Sequence, residues 1–298
     1  MHTLGKKRRS WRNALLFVVF TGPALLFVLF ATNIPFLMNL YYSVFDWNGI
    51  SASMKWVGLD NFVRLFTSDR LFGRAALFTG RFSLFYVAGV NLLALAIAVS
   101  LSKPRRINSL GRAFYYSPYI ISLTALSLIW KFIFGPGFES LSNLTGWSLF
   151  GWSWVGTPNL AFYVVVIMTI WQNVGFYMVI YVTGLLAIPQ STLEASMIDG
   201  ASRWQTFRHI TFPLLMPAIS ICLLTSMTFA LKLFDVIMVF TKGGPANSTV
   251  TVAYNIYKEA FVNHRYGLAT AKSLVFFVVV LMVTLIQTRV TKSREVES

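Results

Sequence analysis

Charge, cysteine and histidine are all scarce in this 298-residue chain. Only 12% of its residues are Asp, Glu, Lys or Arg, against ~25% in a soluble domain. A large core does not account for that shortfall, whereas contact with lipid does. The one cysteine, Cys222, lies inside an apolar run, which excludes an intrachain disulfide and a cysteine-based metal site. His2, His209 and His264 are far apart and show no ligand spacing, so no metal site is expected. The G-x-x-x-x-G-K-[ST] phosphate loop is missing, and no nucleophile and acid–base residues converge. The chain itself is therefore expected neither to hydrolyse ATP nor to act as an enzyme.

What the chain has is long apolar runs and basic charge. Hydrophobic residues make up 56%, the mean hydropathy is +0.65 and the formal net charge is +15. The Lys and Arg lie between the apolar runs rather than on one face of a domain, which favours membrane topology over nucleic-acid binding. About 20 apolar residues cross the ~30 Å hydrocarbon core. Six runs qualify, at residues 14–38, 82–101, 113–134, 160–186, 213–240 and 268–287. The first follows Lys6, Lys7, Arg8, Arg9 and Arg12, is too long for a signal peptide and lacks an A-x-A cleavage site. A membrane domain over 14–290 is expected, between a cytoplasmic segment 1–13 and a cytoplasmic tail 291–298. The N-terminus, the 103–112 loop, the 189–212 loop and the tail hold fourteen of the 25 Lys and Arg. The positive-inside rule therefore puts these loops and both termini in the cytoplasm. Residues 41–81 are mixed and suit short interfacial helices, with Tyr41, Tyr42, Trp47 and Trp56 at headgroup depth.

Between the fourth and fifth runs lies a polar island, Glu194-Ala195-Ser196-Met197-Ile198-Asp199-Gly200, continuing to Ile210-Thr211-Phe212-Pro213. Ser191 and Glu194 have the spacing of a capping box, as do Ser202 and Gln205. Gly200 suits a left-handed helix end, and Pro213 a position where a span starts. Helix, tight turn, helix and span are predicted in that order. Glu194, Ala195, Gly200, Ile210 and Pro213 resemble the E-A-A-x3-G-x9-I-x-L-P signature of the membrane subunits of bacterial ABC importers, with Ser196 for the second Ala and Phe212 for the Leu. This resemblance implies an all-α fold of six transmembrane helices, the type I importer permease fold, with a cytoplasmic coupling helix docked on an ATPase. The coupling residues it implies are Glu194, Ala195, Ser196, Asp199, Gly200, Ile210 and Pro213.

A second resemblance lies at Phe234-Asp235-Val236-Ile237 and Thr241-Lys242-Gly243-Gly244-Pro245-Ala246-Asn247-Ser248-Thr249, which is similar to the carbohydrate branch, of the maltose and glycerol-3-phosphate permease type. Gly58-Leu59-Asp60-Asn61-Phe62 is similar to the G-L-x-N-[FY] element of that family's first outer loop. The Gly-Gly-Pro is read as an outer turn leaving span 5.

Polar residues at membrane depth face a cavity or a partner helix. Thr169, Gln172, Asn173 and Phe176 share one face of span 4, as Ser226, Phe229, Ala230 and Leu233 do in span 5. The resemblance implies a mid-membrane sugar path at these positions; the other reading is that Gln172 and Asn173 bond neighbouring helices. Lys232 and Asp235, at i and i+3, have three readings: a pair, an Asp235 solvated near the outer end, or a Lys232 that meets a phosphate. The implied partners are a sister permease subunit, two ATP-binding subunits that hold ATP and Mg, and an extracytoplasmic solute-binding protein. No cofactor is expected in this chain. The expected function is import of a sugar or oligosaccharide, or of glycerol-3-phosphate or another polyol-phosphate. A secondary transporter or channel would instead run without an ATPase.

Overall fold

The computed structural model describes residues 3–103 and 105–292, with side chains from 15 to 291 except residue 104. The basic side chains before the first span and the tail from 293, with Arg294, lie outside the described residues.

Most of the described residues are helical. In order, α1 (Thr3–Val28) runs through a π-helical turn into α2 (Ile34–Tyr42), and two short strands, β1 (Phe45–Asp46) and β2 (Lys55–Trp56), follow. Next come α3 (Asp60–Thr67), α4 (Arg70–Leu101), α5 (Arg106–Ile120), α6 (Leu123–Phe132), α7 (Phe138–Thr145) and α8 (Pro158–Leu186). The island holds α9 (Gln190–Ile198), α10 (Arg203–Thr206) and α11 (Phe212–Leu214); α12 (Met216–Leu231), α13 (Val252–Tyr257) and α14 (Tyr266–Lys292) complete the chain.

Among the described residues, four helical stretches are long and apolar enough to cross a membrane: Leu15–Tyr42, Arg70–Leu101, Pro158–Leu186 and Tyr266–Thr291. Two bent pairs supply the other spans. Arg106–Ile120 meets Leu123–Thr145 at 93°, and Arg203–Leu214 meets Met216–Leu231 at 66°. Six spans are thus present if each bent pair counts as one, but spans 3 and 5 are not the continuous helices expected over 113–134 and 213–240.

The breaks have local causes. Pro118 cannot donate to the carbonyl of Phe114, and the Ser117 hydroxyl takes that oxygen instead at 2.9 Å. The chain then extends at Ile121 and Ser122 before α6 begins. Span 5 stops at Lys232 and resumes at Asp235. Thr251 Oγ1 donates to the Leu233 carbonyl in the gap at 2.8 Å. Backbone groups freed at membrane depth need such partners.

The described residues divide into two compact units: those up to Ser68 with Lys258–Val275, and Asp69–Tyr257 with those from Phe276 onward. In the second unit α4 packs on α8 and α12, and α5 packs on α8. Phe82, Tyr86, Val90, Ala94 and Ala98, spaced by four along α4, are all fully buried. A residue every fourth position keeps one stripe turned to the neighbouring helices. Gly175 lets α5 approach α8, because a Cβ there would lie 2.0 Å from the Tyr115 carbonyl oxygen.

In the first unit the stretch expected to form short helices folds partly as a hairpin, with Phe45 opposite Trp56 and Asp46 opposite Lys55. Asn61 of the Gly58–Phe62 element donates to the carbonyls of Ser43 and Phe45, each at 2.9 Å. These bonds tie α3 to the strand, a long-range pairing that a helical pattern does not reveal. Tyr42 stacks on Trp47, and both meet Tyr266.

Candidate functional site

The polar island forms the helix–turn–helix expected of it. Helix α9 ends in the full left-handed closure. Gly200 has φ +78; its N–H donates to the Met197 carbonyl at 3.1 Å, and Ala201 N–H donates to Ser196 at 3.0 Å. Both bonds of the Ser202–Gln205 capping box are present, at 2.8 and 3.3 Å. The other expected box is absent. Helix α9 begins at Gln190 behind Pro189, so Ser191 already lies in the first turn and cannot cap it. Glu194 instead accepts from Gln190 Nε2 at 3.2 Å. Pro213 also sits elsewhere than expected. It lies within the helical run leading up from Arg203, the first arm of the bent pair, and the second arm begins beyond the bend at Met216, with Pro217 in its first turn.

Ser196 is the joint of the element. It is buried; its hydroxyl donates to Leu193 O at 2.7 Å and lies 3.2 Å from that of Thr206. These contacts hold α9 against α10. Glu194, Ala195 and Asp199 are exposed, and Ile210 and Pro213 are half-buried. Apolar side chains crown the turn: Ile198 is 86% exposed, and Met197 and Trp204 are each 67% exposed. Exposed apolar residues clustered at the tip of a rigid polar element mark an interaction surface. Sequence spacing located the element but not this patch, because helical periodicity does not say which end of a short helix stays uncovered.

The membrane stripes separate into two kinds of residue. Thr169, Gln172, Asn173 and Ser226 are buried and bonded within the bundle. Thr169 Oγ1 and Asn173 Nδ2 bond carbonyls of their own helix, at 2.7 and 2.8 Å. Gln172 Nε2 donates to Ile121 O at 2.9 Å, at the break in span 3. Ser226 Oγ accepts from Asn91 Nδ2 at 3.0 Å, and Asn91 Oδ1 accepts from Tyr181 at 2.7 Å. The Asn91–Tyr181 arm of this network escaped the sequence reading, although Asn91 is the one amide in the span at 82–101. Phe176 stacks on Tyr119, Ala230 is buried, and Phe229 rests on Tyr86 with ring centroids 5.1 Å apart.

Phe229 and Leu233, with Leu123, Thr228, Lys232 and Asp235, line a cavity of about 330 Å³ at the gap in span 5. Lys232 and Asp235 are both exposed, and neither belongs to the described ion pairs. The helix ends between them, which removes the i, i+3 geometry expected to pair them.

The sequence reading passed over a buried ion pair. Lys272 in α14 is fully buried, and its ammonium lies 2.5 Å from Glu259 Oε2. Arg265 Nε sits 2.6 Å from the other carboxylate oxygen. Glu259 precedes span 6 and Lys272 lies near its start, so a search for opposite charges within one span misses them.

Comparison with known proteins gives a consistent picture. The family described as "Binding-protein-dependent transport system inner membrane component" matches residues 90–296. The chain is 35% identical over 296 residues to the probable starch degradation products transport system permease protein AmyD of Thermoanaerobacterium thermosulfurigenes, covering 99% of this chain and 100% of that one. It is 31% identical over 293 residues to the trehalose/maltose transport system permease protein MalF of Thermococcus litoralis, covering 96% of each. It is also 31% identical over 287 residues to the sn-glycerol-3-phosphate transport system permease protein UgpA of Agrobacterium fabrum, covering 93% of this chain and 98% of that one. Among solved structures it is similar in fold to a chain of a bacterial ABC transporter involved in the import of the acidic polysaccharide alginate. The TM-score is 0.78 at 22% identity, covering 96% of this chain and 99% of that chain.

Proposed function

This chain belongs to the binding-protein-dependent transport system inner membrane components, and we propose that it is one permease subunit of an ATP-driven importer of a sugar or oligosaccharide. In this reading it sits in the inner membrane with both termini cytoplasmic. It pairs with a sister permease subunit, receives solute from an extracytoplasmic binding protein and rests on two ATP-binding subunits. Those subunits hold ATP and Mg, and no cofactor resides in this chain.

The observation that carries the reading is the exposed apolar tip of Met197, Ile198 and Trp204 on the rigid turn closed by Gly200. Docked in a cleft of an ATPase, that tip would move as the ATPases close. The helical run from Arg203 to Leu214 would pass the movement to span 5 through the bend at Met216. Energy then enters as coupling between two states rather than as chemistry in this chain. The names of the relatives support a saccharide cargo. Exposed Lys232 on the span 5 cavity keeps a phosphorylated polyol as the second reading.

The test replaces Ile198 with Asp in the assembled transporter. The expected result is normal membrane insertion, lost co-purification of the ATP-binding subunits and lost ATP-driven uptake. Retained uptake at wild-type abundance would refute the docking role.

A further inference from the structure

A basic cavity at one membrane boundary remains outside the transport reading. It has a volume of about 320 Å³ and is formed by three elements of one unit: the first half of α4, the start of α8 and the turn after span 5. Helix α4 contributes Arg74, Leu77, Phe78 and Arg81, at i, i+3, i+4 and i+7, so both guanidiniums and two apolar side chains share one face. Helix α8 contributes Asn159 and Phe162, and the turn contributes Asn247 and Ser248.

Three features give this cavity a chemical preference. First, it holds two cations and no acid, and neither arginine belongs to the described ion pairs. Arg81 lies over the Phe162 ring at 4.3 Å, which fixes its plane while leaving its N–H groups to donate outward. Second, neutral hydrogen-bonding groups stand around the cations. Asn159 and Asn247 carry amides, and the buried Ser248 hydroxyl has no hydrogen-bond partner. Third, the depth is defined. The twenty residues after Arg81, from Phe82 to Leu101, contain no charge and are enough to cross the hydrocarbon. Arg81 therefore stands at the hydrocarbon edge, and Arg74, two turns further along α4, lies at headgroup depth or beyond. On the same face Leu84 and Leu92 continue into the membrane, both strongly exposed.

We infer that this cavity binds the headgroup of an anionic phospholipid, with the phosphate held by Arg81 and Arg74, headgroup hydroxyls met by Asn159, Asn247 and Ser248, and the acyl chains lying along Leu84 and Leu92. Arginine matches phosphate through its fork of parallel donors. A glycerol headgroup supplies the hydroxyls that the amides and the serine can bond. The exposed apolar run leading from the cavity into the membrane favours a lipid over a soluble anion, which would make no use of it.

Native mass spectrometry of the assembled transporter, titrated with phosphatidylglycerol or with phosphatidylcholine of the same chains, tests this. The wild-type complex should retain one more tightly bound phosphatidylglycerol than an Arg74→Gln/Arg81→Gln variant, with an affinity difference of roughly tenfold or more. Phosphatidylcholine should show no such difference. A Lys55→Gln/Arg64→Gln variant, which loses the same charge at exposed positions, should bind as wild type does. A second arm follows thermal unfolding: phosphatidylglycerol should raise the wild-type Tm but not that of the double variant, their Tm values without lipid being equal. Equal phosphatidylglycerol retention by the double variant would overturn the proposal. So would full competition by inorganic phosphate, which would make the site one for a soluble anion. Unchanged lipid retention with weakened capture of the extracytoplasmic binding protein would assign the arginines to a protein interface and equally defeat the lipid site.

Discussion

Gln172 on α8 donates its amide N–H to the carbonyl of Ile121, 2.9 Å away, at the point where span 3 breaks. Of the two readings of Gln172, the solute ligand implied by the resemblance and the bond to a neighbouring span, the contact made here is the second. Replacing it by Leu would leave the Ile121 carbonyl without its partner at membrane depth, at a cost of about 1–3 kcal/mol. The expected outcome for Gln172→Leu is lower abundance of folded protein and uptake reduced in proportion for every solute. Uptake per assembled complex, measured over several sugars, checks this; a changed solute ranking at wild-type abundance would return Gln172 to the path.

Phe229 is expected to behave differently. It lines the span 5 cavity and is only half-buried, so its ring is available to a passing solute. Phe229→Ala should reduce transport of longer saccharides by roughly tenfold, the equivalent of losing about 1.4 kcal/mol of apolar contact. Abundance should stay near that of wild type. Comparing disaccharide and longer-chain uptake on one vesicle preparation separates this from a general loss.

Two glycines should fail for opposite reasons. A Cβ at Gly200 would meet nothing within 4 Å, so only the left-handed backbone, with φ +78, opposes a side chain there. Gly200→Val should cost about 1–2 kcal/mol locally and uncouple ATP hydrolysis from uptake in a protein that still inserts. Gly175→Ala drives a methyl into the Tyr115 carbonyl and should abolish accumulation altogether. Immunoblots of membranes beside uptake assays distinguish the two failures.

Lys272 and Glu259 form a buried pair whose halves depend on each other. Lys272→Met alone leaves the Glu259 carboxylate with the half-exposed Arg265 as its remaining cation, so the loss should fall below the about 3–5 kcal/mol of a buried pair broken outright. The double variant Lys272→Met/Glu259→Gln removes both charges and should recover most of that loss. Thermal unfolding in detergent of the wild type, both single variants and the double variant measures the coupling; additive losses would show that the pair does not act as a unit.

The orientation of the membrane domain is open to chemical labelling. In a Cys222→Ala background, Arg208→Cys places a thiol on an exposed position of the coupling element without disturbing the Ser202 cap, and Ser148→Cys places one in the exposed loop before α8. Impermeant reagents applied to intact cells should label the thiol at 148 and spare the one at 208. The opposite pattern would invert the topology and remove the coupling element from the cytoplasm.

Local chemistry sufficed for much of this protein. The apolar runs mark where the four long helices among the described residues lie, because the thickness of the hydrocarbon sets a minimum length for each, but they did not show the bends in spans 3 and 5. Gly200 and the Ser202–Gln205 box were legible because helix ends are closed by groups within a few residues of one another. The first capping box misled because α9 starts two residues earlier, with Pro189 rather than Ser191 at its N-cap, a shift that spacing alone does not detect. Tertiary structure decided the rest. Gln172 finds Ile121 51 residues away, and Asn91 finds Ser226 135 residues away. Glu259 finds Lys272 across the start of a new span. In lipid every polar group must find a protein partner, and which one it finds depends on which helices lie side by side. Periodicity can turn a polar side chain inward, but only the packing of α4, α5, α8 and α12 determines whether it meets a carbonyl, an amide or open space.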